Sequence, residues 1–267
     1  MGERRRSWWG WGWEDQALDT NQLGALAKAV SASLGRDDIQ PAPAPVLDDI
    51  ELPPPRVRAP APLAPICSDA RYERAAHTYG KSFADVVRAF HGDLEHPPDV
   101  VARPRTEQDV AELLDWCGGA GLAAVPYGGG SSVVGGIECD AGDAFGGVVS
   151  IDLGLLDKVL DVDPVSRAAR IQAGALGPAL EDQLRPHGYT LRHFPQSFEH
   201  SSLGGWLATR SGGHYATNYT HIDDLVESMR VVTPCGTSES RRLPGSGAGP
   251  SPDRMFLGSE GILGVIT

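Results

Sequence analysis

The chain has 267 residues, 41% of them hydrophobic, enough to bury a core in one large or two ordinary domains. Its formal charge of −12 and pI near 5.0 argue against nucleic acid as a partner, since phosphate backbones are bound by basic patches. No run reaches membrane-spanning length, and no apolar stretch follows the N-terminal arginines as a secretory signal requires.

The four cysteines, Cys67, Cys117, Cys139 and Cys235, are too scattered for a C-x-x-C pair and too few for a disulfide framework. They are expected to be reduced thiols in a cytoplasm, and the excess of arginine over lysine suits a GC-rich bacterial genome. The opening RRRSWWGWGWEDQ sets arginines beside Trp8, Trp9, Trp11 and Trp13. Such a mixture suits a membrane surface or a nucleic acid, but glycines interrupt it and acids follow at once, so it is read as an arm that packs its indoles on its own protein. From Pro41 to Pro65 the chain carries nine of its 21 prolines, an extended and partly polyproline II connector. Residues 1–67 are therefore expected to form an arm and linker, and 68–267 the globular part.

That part opens with SDARYERAAHTYGKSFADVVRAFHGD, in which Val86, Val87 and Phe90 have helical spacing. DVVARP reads as a short strand. In TEQDVAELLDWCGGAG, Thr106 and Asp109 form a capping signature, Val110, Leu113, Leu114 and Cys117 line one face, and Gly118 and Gly119 are expected to end the helix. LAAVPYGGG follows as strand and loop. Beyond it, GVVSIDL, KVLDVD, ARIQAGA, YTLRHFP, SMRVVTP and ILGVIT read as strands and GPALEDQLRPHG as a helix, with no internal repeat. The fold class is α+β with an extensive sheet.

Chemistry is expected at VPYGGGSSVVGG. Residues without a Cβ let a backbone turn through positive φ and present successive amides to an anion, most often a phosphate. Gly128, Gly129 and Gly130 lead into Ser131, Ser132 and Val133, with neither the third glycine of G-x-G-x-x-G nor a G-K-[ST] ending, so the Rossmann and Walker readings fail. Taken alone, the loop also suits a plain turn. Histidines are not spaced as metal ligands: His193 and His200 flank a proline with no third ligand close by, and no metal is expected. Neither Ser259 in LGSEG nor Ser246 in PGSGA gives G-x-S-x-G. Asp223, Asp224 and Glu227 read as a solvated helix start. Four polar, small-residue segments recur beside apolar strands, PYGGGSS, PQSFEHSSLGGW, TRSGG and GSEGILGVIT, and a long ligand could lie across all four.

In this order and wording, those segments resemble the flavin-binding domain of the vanillyl-alcohol-oxidase type, also called PCMH-type. Within it, WWGWGWED, RYERAAHTYGKS, PPDVVARP, PQSFEHSSLGGW, HIDDLVESMRVVTP and GSEGILGVIT resemble the alkyldihydroxyacetonephosphate synthases and their bacterial FAD-binding oxidase homologues. The resemblance implies an α+β domain of two α/β subdomains, preceded by the Pro-rich arm, that binds FAD. It assigns Pro126, Tyr127, Gly128, Gly129, Gly130, Ser131 and Ser132 to the pyrophosphate. Gln196, Ser197, Phe198, Glu199, His200, Ser201 and Ser202 would pass along the flavin and ribityl chain, with Thr209, Arg210, Ser211 and Gly212 after them. Glu260, Gly261, Ile262, Leu263, Gly264, Val265 and Ile266 would turn against the adenine half. Gln196 stands where relatives often have Asp and Ser202 where they often have Thr, both keeping hydrogen bonds. In some relatives the pyrophosphate loop carries a flavin-linked histidine; here Ser131 holds that place and His214 lies far downstream, so noncovalent FAD is implied and His214 is expected to be structural or solvent-facing.

The resemblance further implies as much chain again beyond Thr267, including a cap domain absent here, so the catalytic residues are unknown and the 267-residue chain alone is expected to retain flavin weakly and to be inactive. The activity implied for the whole is alkyl-for-acyl exchange on a dihydroxyacetone phosphate ester, a transferase reaction of ether-lipid biosynthesis, or a related FAD-dependent oxidation. A 2-hydroxy-acid dehydrogenase and a non-catalytic flavin-binding fragment stay open as alternatives. The expected partner is a small-molecule substrate, a lipid or a phosphate ester, with a homodimer and peripheral membrane contact compatible with the full-length protein.

Overall fold

The computed structural model describes residues 4–218, 221–242 and 249–267; Ser246 lies outside them. After a short arm, whose Arg6 and Trp13 form an isolated bridge, comes α1 (Thr20–Leu34). Asp19 caps it in a reciprocal pair with Gln22, and Gly35 ends it in the left-handed conformation. Sequence reading missed this helix. It buries no residue of its own, and Leu26 and Leu34 remain exposed.

The Pro-rich segment forms no strand or α-helix but is interrupted by short 3₁₀ turns at Leu47–Asp49 and Ala64–Ile66, and it also packs. Leu63 is buried in the main core, with Val57 and Ile66 beside it. Arg56 offers both its amide (2.6 Å) and its guanidinium (2.8 Å) to the buried carboxylate of Asp99. Burial alone would push the Asp99 carboxyl up; the Arg56 guanidinium and the Arg56 and Val148 amides outweigh it and hold the group below its ordinary range.

Next comes β1 (Cys67–Ser68). The single helical stretch expected over 68–93 divides into α2 (Arg71–Ala76) and α3 (Phe83–Phe90). Two causes divide it. A Cβ on Gly80 would sit 2.2 Å from the Ser132 carbonyl oxygen, and Ser82 opens α3 through a capping box with Asp85. After β2 (Val100–Ala102), α4 (Glu107–Ala120) follows the sequence reading closely: Thr106 and Asp109 cap it, and Val110, Leu113, Leu114 and Cys117 are its buried residues. Gly118 and Gly119 do not end it. The helix runs through both and closes at Gly121, where φ is +64°.

Strands β3 (Ala123–Tyr127) and β4 (Val148–Asp152) complete a four-stranded sheet of order β1-β2-β4-β3, with parallel neighbours β2-β4 and β3-β4. An antiparallel hairpin, β5 (Val159–Asp163) and β6 (Ala168–Ile171), leads to α5 (Gly177–Leu184). YTLRHFP forms no strand. Arg192 takes φ +60°, and His193 is drawn inside against Trp206, so the apolar and polar alternation there serves a packed loop. The chain ends with α6 (Leu203–Thr209), β7 (Arg230–Thr233), β8 (Gly236–Glu239), α7 (Asp253–Phe256) and β9 (Val265–Ile266).

The sheet of order β8-β7-β9 stands between two cores. Val232 and Val265 enter the first, with Val110, Leu113 and Ile151, whereas Val231 and Ile266 enter the second, with Leu180, Trp206 and Ile222. Strand alternation, with successive side chains on opposite faces, lets one thin sheet serve both sides. Among the described residues no helix is long and apolar enough to cross a membrane.

Candidate functional site

The glycine loop leaves β3 at Tyr127, whose buried phenol donates to the Ala76 carbonyl (3.3 Å) and whose ring lies 4.1 Å from that of His77. Burial pushes this phenol up. Below it, Arg103 joins Glu73 (2.6 Å) to Asp152 (3.1 Å), and His77 Nε2 lies 3.4 Å from the same Asp152 carboxylate. The loop thus rises from a paired, partly buried base.

Its carbonyls are tied back. Arg6 Nη1 donates to the Gly129 oxygen at 2.6 Å, and the Lys81 amide donates to the Ser132 oxygen at 2.7 Å. A trans peptide sets its N–H opposite its C=O, so these two bonds turn the amides of Gly130 and Val133 the other way. Gly130 takes φ +69°, the left-handed turn that glycine adopts without strain. Among the described residues, no acceptor pairs with the backbone amides of Gly129, Gly130, Ser131, Ser132 or Val133. Consecutive amides without internal acceptors form a concavity suited to an anion.

The segment 196–202 presses against this loop. A Cβ on Gly128 would lie 2.2 Å from Ser202 Oγ, and one on Gly129 only 1.9 Å from the His200 carbonyl oxygen. The segment is fixed from inside: buried Trp206 donates its indole N–H to Ser201 Oγ (2.7 Å), which in turn donates to the Ser197 carbonyl (2.9 Å). Phe198 stacks on Trp206 and abuts Gly177. His200 lies between Trp11 and Trp13, with ring centroids 5.9 and 6.1 Å away; burial, then the charge of Arg6, lowers its pKa. Ser202 caps α6 through Gly205. Gln196 and Glu199 are exposed.

At the other end of α6, Thr209 Oγ1 donates to Gly205 and Arg210 turns out at φ +50°. The chain around residue 260 returns here. Gly258 and Glu260 donate their amides to Leu207 and Ala208 at 3.1 and 2.8 Å, and Gly261 comes up against Pro126. Glu260 hangs beside Gly136, with its carboxyl pushed up by burial. The glycine loop therefore meets both 196–202 and 258–261, and α6 joins those two. Ser211 pairs with His193 Nε2 at 2.7 Å, and Gly212 lies against His221.

Not all the expected residues turn their side chains to this place. Phe198, Ser201, Val265 and Ile266 point into the interior, leaving their backbone as the available surface, while Ile262 and Leu263 face outward, Ile262 with 84% exposure. His214 is exposed. Asp223 overturns the reading of a solvated helix start. Its side chain is buried, and Arg210 (2.8 Å) and Arg254 (3.1 Å) converge on one carboxylate oxygen in a short 3₁₀ turn over Ile222–Leu225. Asp224 and Glu227 are exposed. Arg6 and Lys81 were missed as loop partners. Their only local signals are the arginine run and the Gly80-Lys81-Ser82 step before a helix cap.

A family described as FAD binding domain matches residues 98–240. The chain belongs to this family. It is 44% identical over 199 residues to alkyldihydroxyacetonephosphate synthase of Dictyostelium discoideum, covering 74% of this chain and 32% of that protein. It is 33% identical over 193 residues to the FAD-linked oxidoreductase YgcU of Escherichia coli (70% and 39%), and 33% identical over 189 residues to mitochondrial D-lactate dehydrogenase [cytochrome] of Arabidopsis thaliana (67% and 32%). A solved structure of alkyldihydroxyacetonephosphate synthase superposes with a TM-score of 0.87 at 34% identity, covering 98% of this chain and 52% of that one. The chain thus spans about a third of the length of the curated synthases it matches. FAD is the cofactor of this domain, and the bare amides of 129–133 fit a pyrophosphate, a group that backbone N–H donors hold without net positive charge.

Proposed function

We propose that the loop from Gly128 to Val133 holds the FAD pyrophosphate and that the whole protein is an alkyldihydroxyacetonephosphate-synthase-like transferase. The observation that carries the first part is the run of five amides with no acceptor among the described residues, formed where the Gly129 and Ser132 carbonyls are pulled back by Arg6 and Lys81. In this reading 196–202 follows the flavin and ribityl portion, 209–212 supports it, and 260–266 flanks the adenine half, largely through backbone. The domain is 68–267, with 1–67 as arm and linker. Attachment is noncovalent, because Ser131 has no ring nitrogen to bond the flavin.

When bound, the isoalloxazine supplies an electrophilic and redox-active ring. The chain supplies the rest of the platform: amides at 129–133 bind the diphosphate charge, Trp206 and Ser201 fix the backbone beside the ring, and Trp11 and Trp13 shield His200 from water. The higher identity to synthases than to the D-lactate dehydrogenase supports exchange of an alkyl for an acyl group on a dihydroxyacetone phosphate ester, with a 2-hydroxy-acid oxidation as the second reading. The test is a matched pair at one position. Ser131→Asp places a carboxylate at the amide face, and Ser131→Asn places a neutral amide of the same shape. A like charge about 5 Å from the pyrophosphate costs on the order of 3 kcal/mol at an effective dielectric of 20, so FAD affinity falls about a hundredfold in the Asp variant only. Equal FAD affinity in the two would remove the pyrophosphate from this loop. Acid precipitation is expected to leave the yellow colour in the supernatant; colour in the pellet contradicts noncovalent attachment.

A further inference from the structure

The N-terminal arm makes a set of contacts that packing alone does not require. Trp8 is buried with Ala75, Tyr79 and Leu94, which anchors the arm to the globular part. From that anchor it reaches both ends of the glycine loop. On one side Arg6 donates to the Gly129 carbonyl, its guanidinium 5.4 Å from the Trp13 ring centroid and its own carbonyl held by the Tyr72 phenol at 2.5 Å. On the other side Trp11 Nε1 donates to the Lys81 carbonyl (3.1 Å), and the Lys81 amide holds the Ser132 oxygen. Trp11 and Trp13 also flank His200, whose carbonyl faces the missing Cβ of Gly129. Together they roof a cleft of about 750 Å³ behind the loop, with Tyr127 and Gly129 in its wall.

We propose that residues 4–13 form a strap that sets the glycine loop in its amide-presenting shape, with Arg6 as the positioning residue for FAD. The Gly129 peptide can expose its N–H-bearing partner to the anion only while its oxygen is held on the opposite side, and Arg6 is the donor that holds it. No side chain of the strap needs to touch the cofactor. Because a state favoured by the strap is favoured by FAD, linkage requires the converse: FAD must stabilise the strap by the same factor.

The inference rests on the pyrophosphate reading of the loop, and the experiment separates the two. FAD affinity is measured by flavin fluorescence for the wild-type protein and for Arg6→Ala, Arg6→Lys and Ser131→Asp, with apoprotein melting followed alongside. Arg6→Ala is expected to raise the Kd for FAD about tenfold, the usual worth of one hydrogen bond from a charged donor, and Arg6→Lys to recover part of it. In the wild type, saturating FAD is expected to slow tryptic cleavage after Arg4, Arg5 and Arg6. If Ser131→Asp loses FAD while Arg6→Ala binds it as the wild type does, the strap has no role in binding, whatever happens to melting. If FAD leaves tryptic cleavage of the arm unchanged, the coupling is likewise refuted. If Ser131→Asp keeps full affinity, the pyrophosphate reading falls and the strap proposal with it.

Discussion

Substituting Gly129 by alanine adds one methyl group, and the structure sets its cost. The new Cβ would lie 1.9 Å from the His200 carbonyl oxygen, 2.6 Å from its carbon and 2.7 Å from Ser201 Cα. All three atoms are backbone, so no rotamer change can clear them. The loop and the 198–201 turn must part by about 1 Å to reach even the 3.0 Å that real Cβ atoms rarely breach. Gly129 does not take a positive φ, so the penalty is purely steric. Overpacking of this kind costs about 1–3 kcal/mol, and the displaced loop would lose most of its FAD affinity besides. Gly118→Ala and Gly119→Ala are the controls, since nothing lies within 4 Å of either Cβ and both positions are inside α4. Each is expected to stabilise by about 0.5–1 kcal/mol through helix propensity alone. Urea unfolding of the apoproteins, with FAD titration of each, reads both signs. A Gly129→Ala protein as stable as the wild type and fully able to bind FAD would show that the loop does not pack on His200 as described.

Two further outcomes follow from ionisation. The Asp99 carboxyl is held below its ordinary range, so its contribution is present above the unfolded pKa of about 4 and is lost as pH falls through the lower folded value. Asp99→Asn is expected to cost about 2 kcal/mol at pH 7 and to flatten the loss of stability below pH 4; an unchanged acid limb would contradict the Arg56–Asp99 anchor. Burial pushes the Lys81 amine down to about 8. Between pH 8 and about 10 the unfolded chain holds a proton that the folded chain has released, so apoprotein stability should rise with pH there. Lys81→Met is expected to abolish that rise, and a rise that persists in the variant would assign it elsewhere.

Local signals were legible where they are self-contained. Thr106, Asp109 and the four-residue apolar stripe of α4 specify cap and buried face within one helix, and the structure follows them. What sequence reading missed depends on distant partners. Asp223 looks solvated until Arg210 and Arg254, 13 and 31 residues away, fold onto it. Arg6 meets Gly129 across 123 positions. Gly118 and Gly119 looked like a stop because glycine costs a helix entropy, yet the packing of Val110, Leu113, Leu114 and Cys117 carries α4 past them to Gly121. The FAD family was legible from motif order. Which side chains of 196–202 and 260–266 face inward was not, because that depends on the core around Trp206 and on a sheet shared by two cores.

The most direct measurement is an amide spectrum. With glycine and serine selectively ¹⁵N-labelled, FAD is added to the apoprotein and the N–H resonances are followed, using Gly118 and Gly119 as remote references. The account predicts large downfield proton shifts at Gly129, Gly130, Ser131 and Ser132, the signature of amides gaining a phosphate acceptor, with the references unmoved. FAD bound at full stoichiometry while those four amides stay where they were would contradict it.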